Sequence, residues 1–247
     1  GYQPRRSIIL AIAHDEEVGG VHGAKKIVEE LRKNGIQPQV ILDEWSPVIA
    51  AGLLGIKNPV ALIGVAEKGY MTLRLTATDQ SGHSSKPKKE MAIVQLARAI
   101  TAIESNPLPV VYQAPTKQML ETLAPHAPMK LRMAIANIWL FRSPVMGVLT
   151  GKPETNALVR TTLVTTVVKA GIQENVIPYR ASSLVNIRLL PGQSSASVIK
   201  HVKKIIANKR IKLETKGPVY EASTVSSMVS SNYLRIAKSI RQSFPKA

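Results

Sequence analysis

The sequence predicts a mixed α/β fold in which a ferredoxin-like α+β domain is inserted into an open α/β domain. Three observations predict it: a strand–helix–strand pattern near the start, a β-α-β-β-α-β order in the middle, and an uneven distribution of charge. The predicted α/β domain comprises residues 1–67 and 220–247, and the inserted lid comprises 68–219. A largely helical insertion over about 106–158 interrupts the lid.

The first 67 residues have the pattern of an open α/β sheet. A short apolar run over Ser7–Ala13 is typical of a parallel strand that is covered on both faces. Segment 22–34 places its apolar residues on one helical face, and Gly35 follows as a common helix stop. Apolar segments 38–42 and 59–66 predict two more strands with short connections, as in a βαβ unit.

The middle of the chain alternates between apolar and polar residues in a different way. Segment 70–79 predicts an antiparallel strand with one buried face. The elements predicted after it are a helix, two strands, a helix and a strand, over 89–104, 159–171, 180–192, 194–208 and 211–215. The inner face predicted for the first of these helices consists of Ile93, Leu96, Ala97, Ile100 and Ile103. This order of elements is the ferredoxin-like signature.

Positive charge is concentrated in the middle of the chain, whose formal net charge is +17. Residues 1–67 contain 7 basic and 8 acidic residues, 68–220 contain 22 and 7, and 221–247 contain 4 and 1. This segregation supports two domains. A basic segment can attract nucleic acid, but an aromatic content of 4% and scattered basic residues make nucleic acid an unfavoured partner. No apolar run reaches the ~18 residues that a membrane helix needs.

Carboxylates cluster at the predicted carboxyl ends of two strands. Asp15, Glu16 and Glu17 follow the first strand, and Asp43 and Glu44 follow the second. Ligands of open α/β sheets bind beyond these strand ends. Crowded carboxylates repel one another unless a cation intervenes, so the pattern indicates a divalent-metal or catalytic site. The alternative is a solvated acidic loop before a helix N-terminus, where acidic side chains are also favoured.

Five short motifs follow one another along the chain: HDEEVGG (14–20), GVAEKGY (64–70), SGHSSKP (81–87), ENVIP (174–178) and VNIRLLPG (185–192). In this order they resemble the zinc-dependent aminoacylase and carboxypeptidase family, most of all its glycine-X carboxypeptidase and N-acyl-amino-acid hydrolase branch. The resemblance extends over essentially all 247 residues. It implies that residues 1–67 and 220–247 are part of a three-layer zinc-peptidase-like catalytic domain and that 68–219 form its lid and dimerisation domain.

The resemblance also implies roles for three carboxylates. Glu16 corresponds to the general base, and Glu17 corresponds to a zinc ligand. Asp43 corresponds to a ligand of the other zinc ion, so the family implies a site with two zinc ions.

Three further residues correspond to groups that contact the substrate in this family. His83 would reach into the active site of the partner subunit and stabilise the oxyanion there, so we expect a homodimer formed through the lid. Asn175 and Arg188 would contact the substrate, a small N-acyl amino acid or peptide, and a guanidinium pairs well with a carboxylate. On residue chemistry alone, these three would be a surface histidine, a turn asparagine and a solvent-facing arginine.

The functional prediction is a di-zinc amidohydrolase or carboxypeptidase. Zinc-bound water, deprotonated by Glu16, would attack the amide carbonyl. The main alternative is a non-catalytic dimerisation and binding module that consists mostly of the basic lid. A weaker third alternative is a nucleic-acid binder, for which a steep salt dependence of DNA binding would be the evidence.

The sequence departs from the family pattern in its metal ligands. The family has a His-x-Asp motif and a bridging aspartate before the paired glutamates, and a histidine ligand near the C-terminus. None of these is present in the 247 residues. We therefore expect the chain to be the middle of a longer enzyme, with an incomplete zinc site, and to be inactive alone.

Overall fold

The structure is a computed structural model that describes residues 3–16, 19–43, 47–50 and 52–246. The chain divides into two compact units, Gly1–Trp45 and Ser46–Ala247. Along the described chain the helices and strands are α1 (Ala24–Lys33), β1 (Val48–Ile49), β2 (Val60–Ala61), β3 (Gly69–Thr78), β4 (Gly82–His83), α2 (Ala92–Ser105), α3 (Ala114–Leu123), α4 (Met129–Ala136), α5 (Ile138–Thr150), α6 (Pro153–Val159), β5 (Thr162–Ala170), β6 (Val176–Ile177), β7 (Arg180–Leu189), α7 (Ser195–Ile206), β8 (Ile211–Thr215) and α8 (Ser231–Ser243).

The predicted strands over 7–13 and 38–42 are not formed in the described part of the first unit. No residue of 3–16 or 19–43 is assigned to a strand. The apolar side chains of these segments are exposed to solvent, by 81% at Leu10 and 74% at Leu42. A strand needs a neighbour that accepts its backbone hydrogen bonds, and the residues described in this unit supply none.

The second unit opens with a small antiparallel ribbon of β1 and β2. Residues 52–55 turn the chain back, with positive φ at Gly52 (94°) and Leu54 (52°). The strand predicted over 59–66 is therefore only two residues long, and it pairs antiparallel with β1. Val60 packs with Ile56 and Leu123 in a small core against the helical insertion.

Four strands of the second unit form one antiparallel sheet in the order β5–β7–β3–β8. Because α2 and α7 connect the strands in sequence, this is the predicted ferredoxin-like topology. The apolar face predicted for 70–79 is buried against the helices, at Met71, Leu73 and Leu75, but Thr72 and Thr76 on the other face are buried as well. The four segments predicted to share a sheet do share one.

Helix α2 buries a face slightly different from the predicted one. Leu96 and Ile103 are in the core as predicted, but Ile93 is 43% exposed and Gln95 is buried in its place. Gln95 can be buried because its side-chain amide donates to the Glu90 carbonyl at 2.5 Å.

The segment predicted as a helical insertion contains α3, α4, α5 and α6. These helices share a core of their own, which consists of Leu120, Ile135, Val145, Met146, Leu149 and Val159.

None of the helices in the described residues combines the length and apolar character needed to cross a bilayer. The domain limits 68–219 and 220–247 stay a prediction.

Gly69, the first residue of β3, lies against the backbone of residues 220–222. Tyr70 and Tyr220 exchange two backbone hydrogen bonds of 2.8 and 2.9 Å, which holds this crossing strand in place. A Cβ on Gly69 would lie 2.6 Å from both the Tyr220 carbonyl oxygen and the Ala222 nitrogen. The start of β3 therefore requires glycine.

We expect Gly69→Ala to lower the free energy of unfolding by ~1–3 kcal/mol, as overpacking usually does, in a urea titration followed by circular dichroism. The matched control is Gly147→Ala in α5, where a Cβ meets nothing within 4 Å. This control should leave stability unchanged or raise it by about 0.5–1 kcal/mol. Equal destabilisation by both substitutions would contradict the close approach at Gly69.

Candidate functional site

The structure brings His83 and Asn175 together on a short ribbon beyond one end of the four-stranded sheet. His83 in β4 pairs with Val176 in β6. The backbone N–H of Ser84 donates to the Asn175 carbonyl at 3.0 Å. Both side chains are exposed. The two residues predicted from separate motifs therefore form one surface.

The hydrogen bonds around His83 define its tautomer. The backbone N–H of Ser85 donates to His83 Nδ1 at 3.2 Å, and the Ser85 hydroxyl lies 2.8 Å from the same nitrogen. A backbone N–H can only donate, so Nδ1 is the unprotonated nitrogen of a neutral ring. The proton is then on Nε2, which makes Nε2–H a hydrogen-bond donor on the exposed side of the ring.

Arg188 lies at the opposite end of the same sheet. It pairs with Tyr70 on β3 and with Thr162 on β5, and its guanidinium carbon is 5.0 Å from the centroid of the Tyr70 ring. Arg188 lies eight residue steps along β7 from Arg180, which is about 27 Å of extended strand. Because His83 lies beyond the Arg180 end, one chain does not bring Arg188 to His83 and Asn175.

Lys68 stands beside Arg188, and sequence analysis did not single it out. Its ammonium donates to the carbonyls of Ala157 at 3.1 Å and Arg160 at 3.2 Å, at the C-terminal end of α6. Burial and then the nearby Arg188 charge lower the pKa of Lys68 to about 8, while Glu67 acts in the opposite direction. The GVAEKGY motif contains this lysine, but the carbonyls that bind it come from distant residues.

One residue of the acidic motif has a structural role in the loop before α1. Asp15 is buried, and its Oδ2 accepts the backbone N–H of His22 at 2.7 Å, just before α1. A Cβ on Gly23 would lie 2.3 Å from Asp15 Oδ1, so the loop also depends on glycine. Asp15 is therefore a buried hydrogen-bond acceptor, which differs from the solvated acidic loop that the alternative predicted.

The other predicted carboxylates have the exposure that a catalytic or metal-binding role needs. Glu16 and Asp43 are exposed in the first unit. Glu17 lies outside the described residues. Within the described ranges, no group of three or more His, Asp and Glu side chains could hold a metal ion. These residues do not fit a complete zinc site, and the ligand roles of Glu17 and Asp43 stay predictions.

Comparison with protein families identifies the domain type of most of the second unit. The M20 peptidase dimerisation domain matches residues 65–214, which is more than half of the chain. The chain belongs to the M20 peptidase family. The predicted resemblance to zinc aminoacylases and carboxypeptidases is confirmed, because named M20 relatives are N-acyl-amino acid hydrolases and carboxypeptidases.

Two curated M20 relatives show how much of a whole enzyme the chain covers. It is 42% identical over 214 residues to the N-fatty-acyl-amino acid synthase/hydrolase PM20D1 of Xenopus tropicalis, which covers 86% of this chain and 42% of the relative. It is 36% identical over 247 residues to the probable carboxypeptidase S-like 2 of Dictyostelium discoideum, which covers 99% of this chain and 47% of the relative. The chain thus spans somewhat less than half of either relative.

Solved M20 structures confirm the fold class. The metallo-carboxypeptidase Sso-CP2 of Sulfolobus solfataricus superposes with a TM-score of 0.56 at 14% identity, covering 92% of this chain and 60% of that one. Human carnosine dipeptidase 1 gives a TM-score of 0.53 at 15% identity, covering 93% and 51%. The chain therefore has the mixed α/β fold in which the M20 dimerisation domain is inserted in the catalytic domain, and that domain implies oligomerisation.

Proposed function

We propose that this chain supplies substrate-binding and catalytic residues to an M20 amidohydrolase that cleaves N-acyl amino acids or small peptides. The observation that supports this proposal most directly is the neutral His83 ring, whose Nε2–H donor is exposed on the same ribbon as Asn175. The names of the relatives supply the substrate class. An N-acyl amino acid and the C-terminal end of a peptide share a free carboxylate next to the amide to be cleaved.

The proposed residues divide the reaction between them. Glu16 accepts a proton from the attacking water as the water oxygen bonds to the amide carbon. The carbonyl oxygen becomes an oxyanion, and the Nε2–H of His83 donates to it. Glu16 then returns the proton to the nitrogen of the leaving amine as the C–N bond breaks. Arg188 binds the carboxylate that flanks the amide.

The zinc ions belong to the same proposal. We propose Glu17 and Asp43 as the carboxylate ligands that this chain contributes to a site of two zinc ions. The described residues gather no group of three metal-binding side chains. We therefore propose that the 247-residue chain alone hydrolyses no N-acyl amino acid, with or without added zinc.

The positions of His83 and Arg188 favour a homodimer formed through the lid. They lie at opposite ends of ten-residue strands, so a small substrate cannot touch both in one copy. Both residues reach the same substrate only if His83 comes from a second chain. Asn175 is hydrogen-bonded to the His83 segment through its backbone and would enter the site with it. In a two-fold symmetric dimer each site would then receive this ribbon from its partner.

The carboxylate role of Arg188 can be tested in a chimeric hydrolase, in which this chain replaces the matching segment of the Xenopus tropicalis relative. We expect Arg188→Gln to lower kcat/KM for N-lauroyl-alanine by about 10–100-fold, because a charge-assisted hydrogen bond is lost. The primary amide of the same substrate should be cleaved slowly and equally by both enzymes. Arg180→Gln, at the other end of β7, is the matched control and should change neither rate. Equal losses on acid and amide would contradict the assignment.

A dimerisation module without catalysis is the second candidate, because the family match covers the dimerisation domain and none of the first unit. Light scattering of the purified chain tests its oligomeric state. A dimer of the chain together with a chimeric hydrolase that shows no turnover would favour this candidate over the amidohydrolase.

A further inference from the structure

A group of positive charges occupies the Arg188 end of the sheet, where Glu67 is the acidic residue whose charge acts on Lys68. Lys68, Arg160 and Arg188 form no ion pair with any residue in the described ranges. The Arg160 Nε is buried and has no hydrogen-bond partner there. The Arg160 carbonyl is also one of the two that accept the Lys68 ammonium, which places Lys68 and Arg160 side by side.

This arrangement raises the energy of the protein in the absence of an anion. Lys68 is only partly exposed, Arg188 is exposed, and the Arg188 charge acts on Lys68 directly. Like charges repel each other more when one of them is partly buried than they do in water. An anion between them would relieve that repulsion and would satisfy a donor, the Arg160 Nε, that has no partner among the described residues.

The Tyr70 side chain lies on one side of this group of positive charges. Its ring packs against the Arg188 guanidinium, and its hydroxyl lies 3.1 Å from the Thr72 hydroxyl. Arg188 pairs with Tyr70 next to Gly69, where β3 lies in close backbone contact with residues 220–222. The site is built on strands and not on a mobile loop, which favours defined recognition.

We propose that Lys68 is the second cation of the carboxylate site and, with Arg188, binds the free carboxylate of the substrate. This inference rests on the proposed role of Arg188. The Lys68 ammonium keeps its two carbonyl partners and directs its third N–H at the carboxylate, which the planar Arg188 fork binds from the other side. Lys68 thereby favours substrates with a free carboxylate. The two carbonyls at the C-terminal end of α6 hold the ammonium in the position that this preference requires.

Lys68 makes the proposed site sensitive to pH in a way that Arg188 alone cannot. An arginine side chain supplies a charge that does not depend on pH in the range in which proteins fold. Glu67 is the other titratable group whose charge acts on the Lys68 ammonium. With the pKa of Lys68 at about 8, its charge is present below pH 8 and is lost above it. A bound carboxylate favours the charged form, so affinity should be constant below pH 8 and fall above it, by about tenfold in total.

The test is an NMR titration of the 247-residue chain with N-acetyl-alanine, and with its primary amide, between pH 7 and pH 9.5. For the wild type we expect the affinity for the acid to fall above pH 8, and the amide to bind weakly at every pH. Lys68→Met should bind the acid roughly 10-fold more weakly at pH 7, with no dependence on pH. Lys68→Arg should keep the affinity and lose the pH dependence.

Each outcome of this titration decides a different question. A flat wild-type profile, or the same profile in Lys68→Arg, would overturn the proposal for Lys68. Because Lys68 also caps α6, Lys68→Met could disturb the fold; the wild-type and Lys68→Arg profiles decide the question without it. If Arg188→Gln binds the acid as the wild type does, the carboxylate site itself is wrong. If Arg188→Gln lowers the affinity for the acid and the Lys68 substitutions do not change it, the role of Lys68 is contradicted and the role of Arg188 is retained.

Discussion

Glu16→Gln in the chimeric hydrolase is expected to lower kcat by about 10²–10⁴-fold, the usual cost of losing a general base. Glutamine has nearly the same shape as glutamate but cannot accept a proton from the attacking water. The proposed role of Glu16 is proton transfer and not metal binding, so the zinc content of the purified enzyme should hardly change.

Glu17→Gln is the matched control, because it makes the same substitution at the next residue. A carboxylate ligand that becomes an amide loses its charge, so this variant should hold less zinc when its metal content is measured by mass spectrometry. Equal loss of zinc from both variants would contradict the division of roles. Full activity of Glu16→Gln would remove Glu16 from the mechanism.

His83→Ala is expected to lower kcat by about 10²–10³-fold, as the removal of one oxyanion donor does in other hydrolases. The KM should change less, because the hydrogen bond to the oxyanion forms as charge develops. Ser85→Ala is the matched control. It removes the hydroxyl beside His83 Nδ1 but keeps the backbone N–H that defines the tautomer, so its activity should stay near that of the wild type.

The lid was predictable from sequence because its signals are local and repeated. The alternation of Met71, Leu73 and Leu75 predicts which face of β3 is buried, and the order of elements then defines the topology. Helix α2 shows the limit of the same reasoning. Periodicity ranks Ile93 above Gln95 as a core residue, but a hydrogen bond from Gln95 to the Glu90 carbonyl reverses that order.

The parts that were not predictable depend on contacts between distant residues. The strands expected over 7–13 and 38–42 need neighbours that the described residues do not provide. Lys68 gains its importance from the carbonyls of Ala157 and Arg160, which are 89 and 92 residues further along the chain. The distance between His83 and Arg188 follows from strand register, which the motifs alone do not give.

The central claim is that His83 acts in the active site of the second subunit, and a mixing experiment tests it most directly. Glu16→Gln and His83→Ala chimeric hydrolases, each nearly inactive alone, are dissociated, mixed in equal amounts and reassociated. If His83 acts across the dimer, half of the dimers are mixed and each has one complete site, so about a quarter of the wild-type rate should return. If His83 acts within its own chain, each site of a mixed dimer still lacks one group. A rate that stays at the level of the separate variants, despite mixed dimers shown by native mass spectrometry, would contradict the claim.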